Sequence, residues 1–292
     1  MRKLIVNGDD FGFNREVTNG IIECHTRGIL TSTTLMVNMP AAEYAAEKGK
    51  KYPNLSIGIH LNLTTGKPLS APEKIPALLG PDGNFKKQKD MFKLANRFQL
   101  SSEQVERELS AQIEKFLSFG IVPTHCDSHH HTAACMQIFP IKLKLLNKYK
   151  IKRLRTHRGF YRFDKTSPQK LKVFAKMLKT NTIRLPYRVY HELQHIYCRF
   201  KGYRLPDFRY GFSKVISVPP LKPDIISWRK LIENMPPGIA EFCTHPGLPS
   251  EDPMDSPMFR EQRIADYNLL VDPECKKICR EKNVELINFS EL

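Results

Sequence analysis

Lys3-Leu4-Ile5-Val6-Asn7-Gly8-Asp9-Asp10-Phe11-Gly12 is a short apolar run that breaks at once into two adjacent carboxylates. A first strand of an α/β enzyme has this look when it delivers acidic groups to its C-terminal end. Active sites of open α/β sheets and of (β/α) barrels gather at that edge. Two neighbouring carboxylates there can divide the labour, one binding a cation and the other moving a proton. Helix capping is the competing reading of Asp9 or Asp10, since Asp is a favoured N-cap residue. The rest of the chain decides between them.

Downstream, short β-branched runs that end in polar residues predict strands over 4–6, 31–37, 55–63, 121–126, 151–156, 214–218, 239–244 and 284–289. Helical patterns lie between many of them, over 16–27, 41–50, 102–119 and 139–149. Strands and helices alternating at this spacing argue for βαβ units around a parallel sheet or barrel. The expected fold is α/β, a (β/α) barrel with an irregular or incomplete barrel left open, and one domain spanning 1–292. Residues 67–84, with Pro68, Pro72, Pro76, Pro81, Gly80 and Gly83, read as a long loop near a site.

Composition narrows the class. A chain of 292 residues with 41% apolar content can bury a large core, which excludes disorder. No run of about 18 apolar residues exists to span a membrane, and the first ten residues hold no secretory h-region. The expected location is the cytoplasm. Seven cysteines are scattered without a CxxC pair, so reduced, packed thiols are expected rather than a zinc ribbon.

The net charge of +16 is concentrated in one place. Residues 141–210 hold 20 Lys and Arg against 3 Asp and Glu, leaving 26 basic and 27 acidic residues elsewhere. A basic, aromatic-rich insertion at about 158–212 with its own task is the expectation. Nucleic-acid binding through it would weaken steeply with salt. That stretch carries no recognisable nucleic-acid motif, so no specific nucleic-acid partner is expected. Interleaved Phe, Tyr, Leu and Arg over 174–212 fit instead an interfacial element on an anionic membrane surface, peripheral to the bilayer. A solvated basic lid is the plainer alternative.

Histidines sit at the ends of the predicted strands. His60 ends Gly58-Ile59-His60, and His125, Asp127, His129, His130 and His131 crowd one run. His157 follows Arg155-Thr156, and His245 lies in Thr244-His245-Pro246-Gly247. A lone histidine after a strand is usually structural; several at corresponding strand ends facing a double aspartate are hard to explain as packing. An Asp with two His is a three-ligand set that leaves positions open for water and substrate. His130 and His131 are left unassigned, and His25, His191 and His195 carry only a structural reading.

Together these blocks resemble the YdjC-like carbohydrate deacetylase family, which includes the chitooligosaccharide deacetylases. Asn7-Gly8-Asp9-Asp10, Gly28-Ile29-Leu30-Thr31-Ser32-Thr33-Thr34, Gly58-Ile59-His60-Leu61-Asn62-Leu63, the His125 to His131 run and Cys243-Thr244-His245-Pro246-Gly247 carry the resemblance. It implies an architecture related to polysaccharide deacetylases, and removal of an N-acetyl group from an N-acetylated sugar, oligosaccharide or glycolipid, with release of acetate. It also implies one divalent metal ion on Asp10, His60 and His129. Mg²⁺ follows from the resemblance, with Zn²⁺ as the alternative that nitrogen-rich ligation suits. On that chemistry Asp9 is the expected general base and His245 the general acid, with His125 and Asp127 orienting the ligands or Asp9. Where the family often reads Arg-Leu-Pro-Arg, this chain has Arg153-Leu154-Arg155-Thr156, so no arginine is given a role. The alternative function is a nucleic-acid or anionic-surface binder working through the basic insertion; among partners, a homodimer is left open.

Overall fold

Eight consecutive residues of β1 (Arg2–Phe11) are buried, which places this strand at the centre of the fold. A strand buried on both faces belongs to a parallel sheet covered by helices. That sheet is present in the computed structural model, which describes residues 1–159, 162, 163, 170, 172, 174, 175, 185–212, 215, 216 and 221–292. On one side of β1 lie β2 (Ser32–Leu35), β3 (Ser56–Leu61) and β4 (Cys126–Ser128). On the other lie β5 (Phe208–Tyr210) and β6 (Gly238–Thr244), while β7 (Val284–Ile287) pairs with the first half of β1. The order is β4-β3-β2-β1-β6-β5, and every pairing is parallel.

The sheet curls into a half-barrel. Residues 152–159 run between its edges: Cys126 N of β4 donates to Arg153 O at 3.0 Å, Leu154 N donates to Arg204 O at 3.1 Å, and Arg209 N of β5 donates to Arg158 O at 2.8 Å. This stretch was expected as a strand over 151–156; it contributes isolated bridges instead. The expected strand at 121–126 begins only at Cys126. Pro123 cannot donate to a ladder, so the preceding residues follow β3 only through Thr124 N to Ile57 O and Ile59 N to His125 O, each at 2.9 Å. Of the strand expected at 214–218, Val215–Ile216 pairs with Arg162–Phe163 in a separate two-stranded sheet; 214, 217 and 218 lie outside the described residues.

The helices are α1 (Arg15–Arg27), α2 (Ala42–Gly49), α3 (Gln88–Asn96), α4 (Ser102–Ser118), α5 (Ile138–Lys148), α6 (Leu185–Phe200), α7 (Ile225–Glu233), α8 (Pro257–Val271) and α9 (Pro273–Glu281). Asn14, rather than Asp9 or Asp10, caps α1 by accepting from Val17 N at 2.8 Å. The two carboxylates are therefore free of the capping task. Within the segment read as an insertion, α6 is a helix and β5 joins the main sheet; 160, 161, 164–169, 171, 173 and 176–184 lie outside the described residues. Among the described residues, no helix is long and apolar enough to cross a membrane.

Candidate active site

A straight strand would point Asp9 and Asp10 to opposite faces. The pairing of β1 with β2 slips between Gly8 and Phe11, and Asp10 takes φ 68°, in the left-handed region. Holding a non-glycine residue there costs about 1–3 kcal/mol and is met most often at functional sites. A bulge of this kind re-aims a side chain, and here it turns both carboxylates toward His60. His60 stands opposite Asp127 on neighbouring strands, His129 follows β4, and His245 follows β6. The strand-end residues expected from the sequence thus converge at one edge of the sheet.

Asp10 divides its oxygens. Oδ1 lies 3.0 Å from His129 Nδ1 and 3.4 Å from His60 Nε2, while Oδ2 accepts from Arg263 Nη2 at 2.8 Å. On its far side His60 Nδ1 is 2.5 Å from Asp127 Oδ1, which fixes the ring and aims Nε2 at Asp10. One ligand atom from each of Asp10, His60 and His129 lies within 4.8 Å of the other two. Burial alone would lower the pKa of His60, but the carboxylates of Asp127 and Asp10 push it up to about 10. A buried cluster of one carboxylate and two imidazoles offers oxygen and nitrogen donors of the kind a divalent cation takes. The residues Asp10, His60 and His129 therefore fit a metal. A second group, Asp9, His60 and Asp127, is as compact. There, however, Arg155 already lies against both carboxylates, at 2.6 Å from Asp9 and 2.9 Å from Asp127.

Asp9 meets Arg155 with both oxygens, Oδ2 accepting from Nη1 at 2.7 Å and Oδ1 from Nη2 at 2.6 Å. Burial would raise its pKa, yet the Arg155 guanidinium holds the carboxyl well below the usual range, so it stays ionised. Asn7 Nδ2 donates to Asp9 Oδ1 at 2.9 Å, and His125 Nε2 donates to Asn7 Oδ1 at 3.2 Å. Burial, then Arg155, keeps His125 neutral. Its ring fits against β3 because residue 58 is glycine: a Cβ there would lie 2.6 Å from His125 Cε1. The structure thus places His125 behind Asp9, through Asn7, and Asp127 behind His60.

His245 Nε2 lies 3.8 Å from Asp9 Oδ2, and its side chain is 34% exposed, open to a cavity of about 310 Å³. Asp266 secures it from below, Oδ2 accepting from His245 N at 2.9 Å and from Thr244 Oγ1 at 2.8 Å. His131, Arg209, Tyr210 and Phe212 share the walls of this cavity. His130 turns away to Thr64 Oγ1 at 3.0 Å, and burial pushes it down to about 3. His195 pairs with Thr156, and His25 with the Leu30 carbonyl, as structural residues do.

Several site residues were not legible in the sequence. Arg155 also donates from Nε to Glu241 Oε1 at 2.7 Å, so one buried cation faces Asp9, Asp127 and Glu241. Its only sequence signal is its position at the end of a predicted strand. Arg263 donates from Nε to Asp255 Oδ2 at 2.7 Å while holding Asp10. Nothing in the local sequence of α8 marks it.

Comparison with known proteins identifies the family. The family model described as YdjC-like protein matches residues 3–281. A carbohydrate deacetylase of Brevibacillus brevis is 32% identical over 292 residues, covering 99% of each chain. A chitooligosaccharide deacetylase of Proteus mirabilis is 45% identical over 139 residues, covering 47% of this chain and 53% of that protein. Among solved structures, a candidate cellobiose-phosphate cleavage protein of Enterococcus faecalis superposes with a TM-score of 0.76 at 27% identity, covering 99% of this chain and 98% of that one.

Proposed function

The chain belongs to the YdjC-like protein family, and from that premise we propose that it is a metal-dependent hydrolase that removes the acetyl group from an N-acetylated sugar, oligosaccharide or glycolipid. The names of its relatives support N-deacetylation of sugars. The observation that carries the mechanism is the bulge in β1, which sets an ionised, arginine-clamped carboxylate beside a separate Asp-His-His set. In this reading the curled sheet and the 152–155 bridge form an incomplete (β/α) barrel, and the chain works in the cytoplasm.

Asp10, His60 and His129 would hold a divalent ion, Mg²⁺ by resemblance or Zn²⁺, which would supply polarisation of the acetyl carbonyl and a lowered pKa for attacking water. The protein's own residues do the rest. Asp127 and Arg263 hold His60 and Asp10 in their ligand geometry. Asp9 takes the proton from the water whose oxygen bonds to the carbonyl carbon. Arg155 keeps Asp9 ionised at any working pH, so the acceptor is always present, although its basicity is low; the water must supply the acidity. When the C–N bond breaks, the amine needs a proton, and His245, whose Nε2 lies 3.8 Å from Asp9 Oδ2, donates it. Acetate and the free amino sugar leave.

Acetate release from N-acetylglucosamine oligosaccharides tests the proposal, with EDTA abolishing it and added Mg²⁺ or Zn²⁺ restoring it. No release by metal-replete protein across a broad panel of N-acetylated glycans and glycolipids would overturn the reading.

A further inference from the structure

Three cavities adjoin one another through shared walls. His131 lines the pocket at Asp9 and His245 and also a cavity of about 280 Å³ walled by Phe92, Tyr187 and Tyr190. Met136 and Tyr190 line that cavity and, in turn, a groove of about 760 Å³ between α5 and α6. The character of the walls changes along the way. Asp9, Asp266, His131 and His245 stand among aromatic residues in the walls of the first pocket, whereas Phe139, Pro140, Leu143 and Leu193 wall the last. Of the groove's two amides, Gln194 is committed to Ala134 O at 3.0 Å and to Tyr190 Oη at 2.8 Å, and Asn147 Oδ1 accepts from Lys152 Nζ at 3.3 Å. A sugar ring needs hydrogen-bond partners around its rim, and this groove offers few that are free.

We infer that this run of cavities seats the hydrocarbon chain of a glycolipid whose N-acetylated amino sugar lies at Asp9 and His245. The inference rests on the deacetylase reading and names its substrate class. Two further observations favour a lipid over an oligosaccharide or a second copy of the chain. Beside the groove, α6 exposes Leu185, Val189, Leu193, Ile196 and Phe200, spaced to form one stripe; Leu193 is 60% and Phe200 81% exposed. An apolar stripe on a helix flanked by Lys and Arg is how a segment lies in a lipid interface. The groove also has Lys144 and Lys201 among its walls. Residues 141–210 hold 20 basic and 3 acidic side chains, which would repel a second copy and attract an anionic bilayer.

The experiment compares dodecyl with methyl glycosides of N-acetylglucosamine, below micelle-forming concentrations, on the metal-replete protein. Calorimetry with the corresponding glucosaminides, the products that are not turned over, gives affinity; acetate release from the N-acetyl compounds gives kcat/KM. The dodecyl compounds should bind and react at least about tenfold better than the methyl ones. Leu193→Asp, at an exposed groove position, should abolish that preference and leave the methyl glycoside unaffected. Met136→Ser serves as a second, milder variant should Leu193→Asp misfold. Equal affinity for the two glucosaminides, or a dodecyl preference that survives both substitutions, overturns the inference. Tight dodecyl binding that Leu193→Asp weakens, with no acetate from any substrate, leaves the groove assignment standing and defeats the deacetylase reading. Turnover of chitooligosaccharides without a dodecyl preference does the reverse.

Discussion

Asp9 and Asp10 are consecutive and buried, yet Asp9 meets one guanidinium with both oxygens while Asp10 divides its oxygens between His129 and Arg263. The difference arises from the neighbours supplied by distant strands. β4 and the 152–155 stretch bring Asp127 and Arg155 against the Asp9 side, whereas the loop after β4 and helix α8 bring His129 and Arg263 to Asp10. A fixed cation beside Asp9 opposes a metal there. An imidazole pair beside Asp10, with an arginine confined to the other oxygen, leaves Oδ1 available as a donor. Identical side chains one peptide bond apart acquire different chemistry because the bulge lets each one face a different set of partners.

The most severe way to break this contrast is to remove each carboxylate in turn. Asp10→Ala should lose bound metal and all measurable deacetylation, whereas Asp9→Asn should keep the metal and lose about 10²–10⁴-fold in kcat. Metal analysis alongside acetate release separates the two, and equal metal loss in both variants would end the division of roles. Next in size is Arg155→Met, which leaves the Asp9, Asp127 and Glu241 carboxyls without their cation. It should lower stability by roughly 3–5 kcal/mol in urea unfolding. What remains folded should still bind metal through Asp10; metal loss matching that of Asp10→Ala would show that the two environments are not separable.

His245→Gln sharpens the comparison on the product side. It should slow N-acetyl sugars by about 10²-fold but slow an activated aryl acetate much less, because that leaving group needs no proton. An equal loss on both substrates would assign His245 to binding instead. The smallest effect concerns Glu241. Burial pushes its pKa up to about 7 against the pull of Arg155. The folded protein therefore keeps this proton between about pH 4.5 and 7 while the unfolded chain does not. The stability it contributes is present at low pH and is lost as pH rises through 7. Glu241→Gln, always neutral, should match the parent near pH 5 and melt roughly 2–4 °C higher at pH 8; a constant difference across that range would refute the assignment.

Much of this architecture can be read from local sequence. Leu4-Ile5-Val6, Ile57-Gly58-Ile59 and Ile239 to Thr244 are apolar runs that stop at polar residues, and each is a strand ending at the site. The histidines advertise themselves by chemistry and by position. What escaped notice depends on contacts across the chain. Arg153 and Arg155 look alike in sequence, yet Arg153 donates to the Leu292 and Ser290 carbonyls and Arg155 to Asp9. Phe208-Arg209-Tyr210 lies in a basic stretch where charge masks a three-residue strand, although the alternation of buried Phe208 and Tyr210 around a half-buried Arg209 is present. The bulge itself is invisible, because nothing in Gly8-Asp9-Asp10-Phe11 announces a left-handed aspartate.

The pairing of β1 has a consequence for how the protein is made. Arg2 to Gly8 are registered against Gly238 to Thr244, and Arg2 to Ile5 against Val284 to Ile287. The strand that bears both aspartates is thus synthesised first and completed last. At about 5–20 residues per second, β1 waits roughly 10–50 seconds for β6 to emerge from the ribosome. During that interval its apolar run and its unpaired edge have no native partner on that side. A ribosome stalled near residue 230 would carry a chain with both carboxylates, His60 and His129, but without Arg263 to hold Asp10. The arginine that holds Asp10 is therefore a late arrival in the life of the chain, supplied by a helix far in sequence from the carboxylate it fixes.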